Sequence, residues 1–417
     1  MAINVHNLRV YNMIVGAGSS GGEGGEGGEG GGGGGGSSTP SYLAVGTHEY
    51  SSAQGGVWVY DATNYSTSPT LLNPSATAGG TDDYFGYSIA NTATQLVVGT
   101  PRYDIIPRYN IGAAYVYDLT NLSASPTILS PSGLAQSDQF GGGVAISSKY
   151  VVVGAIQDST AGSNRGAAYV YDATNLSAAP TKIAPTDLTN SSNFGTSIAI
   201  QGDNIIISAP NIGTPGLTYA EGAVYVYDGT NLSASPTKLM PSQLEQNDNF
   251  GTSIAATSNH LVVGAQYDDD IAADAGAVYV YDINNLSTSP TKITPSGLAS
   301  NDLFGTQVAA TDNYIVIGAS RDDTTGGDAG AAYVYDASNL SATPTKLTDG
   351  GSDDLFGNTV AVFGDQIIVG AKTDDTTGTD QGAVYVYDAT NLSASPTKLT
   401  TSGLANYNYW GQALSIG

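Results

Sequence analysis

Apolar and polar positions along this chain fall into one pattern that is written seven times. In a representative stretch, Phe304-Gly305-Thr306-Gln307-Val308-Ala309-Ala310 predicts a first short strand. Tyr314-Ile315-Val316-Ile317-Gly318-Ala319 is apolar on consecutive residues, as expected of a second strand covered on both faces. An Asp-rich loop, Ser320 to Ala329, leads into Gly330-Ala331-Ala332-Tyr333-Val334-Tyr335, a third strand of alternating character. Asp336 to Pro344 is dense in residues that cap or bend the backbone, and Thr345-Lys346-Leu347-Thr348 predicts a fourth strand.

Variants of the third-strand phrase begin at Gly56, Gly112, Gly166, Gly222, Gly276, Gly330 and Gly382, a period of 52 to 56 residues. Phe-Gly precedes the first strand at Phe85, Phe140, Phe194, Phe250, Phe304 and Phe356; the copy missing ahead of Gly56 stands at the far end as Trp410-Gly411. A linear array has no reason to split a repeat between its ends, whereas a closed ring does. The expected fold is all-β: a seven-bladed β-propeller with four antiparallel strands per blade, closed by pairing of the C-terminal strand with the N-terminal blade. Residues 41–417 form this ring, preceded by an anchoring peptide (1–16) and a Gly/Ser-rich linker (17–40).

Phe-Gly, a short apolar strand, Val-Val-Gly-Ala and Gly-Ala-Val-Tyr-Val-Tyr together resemble the FG-GAP repeat of integrin α-subunit heads, over about nine-tenths of the chain. The resemblance implies that the Phe-Gly strand lies innermost and that later strands proceed outward. It is closest to a shorter bacterial and viral type. The Phe at this place in every blade is expected to be a packing wedge rather than a ligand platform. Lysine recurs in the fourth strand at Lys182, Lys238, Lys292, Lys346 and Lys398, where it is expected to guard an outer edge against aggregation.

Integrin blades that bind calcium carry an Asp-x-Asp-x-Asp-Gly loop between the first and second strands. Here that connection is short, as in Ala310-Thr311-Asp312-Asn313, so the family's calcium site does not carry over. Acidic residues stand instead in the next connection: Asp268, Asp269, Asp270 and Asp274; Asp322, Asp323 and Asp328; Asp374, Asp375 and Asp380. Calcium takes six to eight oxygens, and these loops are the candidate site for it, against the plainer reading of acidic turns without metal. With Asp302, Asp353 and Asp354 they are expected to make one face of the ring strongly acidic.

Charge narrows the partners. Acidic residues outnumber basic ones 37 to 12, a formal net charge of −25, which repels phosphate backbones and argues against nucleic acid. The absence of cysteine excludes disulfides and thiolate chemistry. No segment has the length and apolarity of a membrane span, and the first residues lack the pattern of a secretory signal. Asn-x-Ser recurs once per blade, from Asn64 to Asn391, and reads as a repeated turn cap rather than a glycan acceptor. The three histidines, His6, His48 and His260, are isolated, and no nucleophile elbow or phosphate loop occurs, so no catalytic residue is expected.

In the first 16 residues Ile3, Val5, Leu8, Val10, Met13 and Ile14 are apolar and fit strand addition to a partner. The linker, as a flexible coil, spans on the order of 27 Å. The layout suggests a non-catalytic display module on a virion, joined to other structural proteins by its N-terminal peptide and presenting a head to a host-surface or glycan ligand. The alternatives are a secreted or cell-surface bacterial adhesin with metal-binding loops and an enzyme acting on polysaccharide.

Overall fold

The computed structural model describes residues 41–50, 54–73, 83–105, 107–213 and 220–417. The peptide with Ile3, Val5, Leu8, Val10, Met13 and Ile14 and the glycine linker lie outside them. Seven four-stranded antiparallel sheets make the seven blades of a propeller, with one 3-10 turn at Ala389–Asn391. In blade 6 the strands run outward as Phe304–Ala310, Tyr314–Ala319, Ala331–Asp336 and Thr345–Leu347.

Blade 1 is assembled from both ends of the chain. Its innermost strand, Ala413–Ile416, pairs antiparallel with Tyr42–Thr47, which is followed outward by Gly56–Asp61 and Thr70–Leu72. Tyr42 N–H donates to Gly417 O at 3.0 Å, and Thr47 Oγ1 donates to Asn408 O. Trp410 is fully buried where the other blades have Phe, with its ring edge-on to Trp58 at 6.4 Å.

Each Phe-Gly does two jobs at a blade seam. The Phe304 ring meets Tyr333 of its own blade edge-to-face at 5.3 Å. Its backbone N–H donates to Ala275 O of blade 5 at 2.9 Å, alongside a parallel bridge from Phe304 to Gly276. Gly276 has φ +86°, and a Cβ there would lie 2.1 Å from Phe304 O, so a side chain is excluded twice over. The same bridge identifies the equivalent glycine of blade 1 as Gly55, one residue before the Gly56 that the sequence phrase suggested. The core follows the seams: Val278, Val280 and Ile293 of blade 5 pack with Val308, Ile315 and Ile317 of blade 6.

The Asn-x-Ser turns are structural. Asp336 Oδ1 accepts from Ser338 N at 2.8 Å, and Asn339 Oδ1 accepts from Ser341 Oγ at 2.8 Å, as the corresponding turns do around the ring.

Candidate functional site

The ring has two unlike faces. One carries the turns between the third and fourth strands and the point where the chain joins the ring at Tyr42. The other carries the acidic loops between the second and third strands, together with the connections that lead from one blade into the next Phe-Gly.

On that second face the acidic loops divide their work. Asp268, Asp322 and Asp374 are buried, and each places Oδ2 at 2.6 Å from the fourth-strand lysine of its own blade, Lys292, Lys346 and Lys398. Tyr279, Tyr333 and Tyr385 donate hydroxyl protons to the same oxygens at 3.0, 2.9 and 2.8 Å. The other oxygen accepts a backbone N–H from Asp270, Thr324 or Thr376. Burial alone would raise Asp322 and Asp374, but hydrogen bonds from lysine and the loop threonine hold both below the usual carboxylate range. Tyrosine and lysine stand directly opposite in the strand register, with Lys346 Nζ 5.2 Å from the centre of the Tyr333 ring.

The second and last aspartates are held apart from this arrangement. Asp269, Asp323 and Asp375 accept from the backbone N–H of Asp274, Asp328 and Asp380. The last three adopt positive φ (+53°, +47°, +50°), closing the loop tip. Asp270 also pairs with Lys292. Among the described residues no group of three or more His, Cys, Asp or Glu is gathered as a metal ion needs. In each of these loops lysine already sits on the most buried carboxylate oxygen.

The fourth-strand lysines are thus not free edge guards. The strand is outermost as expected, but each ammonium folds back onto a carboxylate. The pairing tracks through the repeats. Blade 3 has it as Lys182 and Asp158. Blade 4 has Ile212 at the aspartate's place, and Lys238 turns to Asp187 at 2.7 Å. Blades 1 and 2 lack both charges: Tyr50 lies edge-on to Trp58 at 5.1 Å and Tyr103 to Tyr115 at 6.4 Å, with Leu71 and Ile128 at the lysine positions.

The predicted acidity of this face is partly buried. Asp302 and Asp248 are 2% and 1% exposed, each accepting one backbone N–H through Oδ2 while Oδ1 has no hydrogen-bond partner. Burial, followed by the neighbouring Asp322 or Asp268 carboxylate, pushes both up to about 6. Asp354 is also raised, burial first. Sequence reading named Asp302 and Asp354 only as part of an acidic face and passed over Asp248, although their shared place two positions before Phe is a repeated signal.

Six segments match the FG-GAP repeat model: 75–117, 127–171, 180–227, 235–281, 288–335 and 345–387. They cover well over half of the chain, which belongs to the FG-GAP repeat family. Blade 1 falls outside the match because its strands are not contiguous in sequence. The fold is similar to the β-propeller domain of the trilobed protease from Pyrococcus furiosus, described as having an open velcro topology. That domain is 9% identical, with a TM-score of 0.51, over 87% of this chain and 94% of that one. A further match is apo AztD from Citrobacter koseri, 10% identical with a TM-score of 0.44 over 91% of this chain and 98% of that one. No curated protein matches this chain in sequence. The chain is a β-propeller interaction module built of FG-GAP repeats.

Proposed function

We propose that this propeller is a non-catalytic display head, held to a virion by residues 1–16 through the glycine linker. The observation that carries the reading is the separation of the two faces. The chain joins the ring at Tyr42, beside Gly417, on the face of the Asn-x-Ser turns. Attachment through the preceding residues leaves the opposite face, with the Phe-Gly connections and acidic loops, turned outward toward a host-surface or glycan ligand. The carboxylates of that face that pair with lysine serve the scaffold, which fits recognition better than catalysis.

The test is co-expression of the full chain, or of a chain lacking residues 1–16, with the structural proteins of its source. The shortened chain is expected to fold as a propeller and to be absent from assembled particles, and residues 1–40 fused to an unrelated domain should bring that domain into particles. Incorporation of the shortened chain at normal copy number would place the attachment surface on the propeller itself.

A further inference from the structure

The seven inner strands begin at one end of the ring, so the residue after each Phe-Gly and the residue just after each second strand meet around one mouth of the central channel. The contacts fix this pairing. A Cβ on Gly142 would lie 2.8 Å from the Ile156 side chain, Thr306 Oγ1 lies 3.0 Å from Gln266 Oε1, and Lys372 N–H donates to Asn358 Oδ1 at 3.1 Å. The mouth is lopsided. The positions on blades 5, 6, 7 and 1, among them Ser320, Asn358, Lys372, Gln412 and His48, all carry side chains able to hydrogen-bond, whereas blades 2 to 4 bring Pro101, Gly142, Ile156 and Pro210, with Tyr87 and Thr196 as their polar members.

Positive charge is scarce in this protein, and most of it is committed. The five fourth-strand lysines are ion-paired, Lys149 pairs with Asp203 at 2.8 Å, Arg108 donates to Leu134 O, and Arg102 lies 4.0 Å from the centre of the Tyr84 ring. Lys372 differs: among the described residues its ammonium, like the Arg321 guanidinium and Arg165 Nε, has no hydrogen-bond or ion-pair partner, and only its backbone N–H is engaged. His48 and Glu49, the titratable pair on the adjoining blade, face each other at 3.3 Å.

We propose that the polar arc of the mouth binds an acidic saccharide, with Lys372 as the counter-charge to its carboxylate. Asn358, Ser320 and Gln412 supply amide and hydroxyl groups of the kind that recognise sugar hydroxyls; Gln412 Oε1 is a buried acceptor with no partner of its own. The His48 and Tyr87 rings, 5.4 Å apart, border the arc. Arg321 adds positive field from blade 6, divided with Asp274 on blade 5. Burial first, then Arg321, pull Lys372 down to about 8, and no carboxylate opposes them. An anionic ligand would restore the missing partner.

The proposal names a ligand class for the outward face and rests on that reading, but its test involves no particle assembly, so it and the tethering fail separately. The full chain is titrated at pH 7 with glucuronate, glucose and inorganic phosphate, with amide NMR shifts as the readout. Saturable shifts at Lys372, Asn358 and Gln412 are expected with glucuronate and not with glucose. Lys372→Met should weaken glucuronate roughly tenfold or more, as for loss of a charged hydrogen bond, and Lys372→Arg should retain binding. In the wild type, affinity should fall as pH rises through about 8, where the ammonium is lost. Equal response to glucose, equal response to phosphate, or unchanged affinity in a folded Lys372→Met variant would each overturn the assignment.

Discussion

Lys346 Nζ lies 2.6 Å from Asp322 Oδ2, and the aspartate is 1% exposed while the lysine side chain keeps 26% of its surface. The pair fastens the outermost strand of blade 6 to a loop two strands inward. Charge and partner are present together in blades 3, 5, 6 and 7, and absent together in blades 1 and 2. This joint presence is what a structural contact requires, because a buried carboxylate without its cation is costly.

Lys346→Met should destabilise the propeller by about 2–3 kcal/mol, since the stranded carboxylate stays buried and the partial exposure of lysine softens the loss. Asp322→Asn combined with Lys346→Met should cost less than Lys346→Met alone. Chemical denaturation of the four corners of this cycle checks it, with a coupling energy near zero as the contrary result.

Acid should stabilise the fold before it destroys it. Asp248 and Asp302 are raised to about 6 in the folded state against 3.8. Their contribution is therefore complete below about 4 and is lost as pH rises through 6. Asp322 and Asp374 are lowered and act oppositely: their contribution is present above the ordinary carboxylate range and lost as pH falls below it. Thermal melting from pH 8 to pH 3 should show a maximum at roughly pH 4–6. Asp302→Asn should raise the melting temperature at pH 7.5 and reduce the gain on acidification.

Ring closure should depend on the last strand and tolerate a change of its aromatic. A chain ending at Ser402 leaves Tyr42–Thr47 without its inner neighbour and should melt far below the full chain. Trp410→Ala should cost about 3–5 kcal/mol. Trp410→Phe should cost much less, because Phe fills this place in six blades and the change removes a buried Nε1–H that has no acceptor.

Millimolar calcium should leave the melting temperature unchanged, and a chelator should do the same. The lead aspartate of each acidic loop already holds a lysine, a tyrosine hydroxyl and a backbone N–H. A calcium-dependent rise of several degrees that disappears in Asp323→Asn would show that the loops rearrange around the ion.

Blade number, strand count and the closing strand were legible in the sequence because repetition reports them directly. The position of Phe304 in every period marks a seam, and the displaced Trp410-Gly411 marks where the ring is locked. Sequence also singled out Asp322 and Lys346, 24 residues apart, but as a metal candidate and an edge guard. Only the antiparallel register, which sets Tyr333 opposite Lys346 and beneath the loop of Asp322, joined them into one contact. The buried Asp302 and the solitary Lys372 were likewise decided by tertiary structure. Burial, partner and field depend on neighbouring blades, and a local pattern determines the strand without determining what the next blade brings against it.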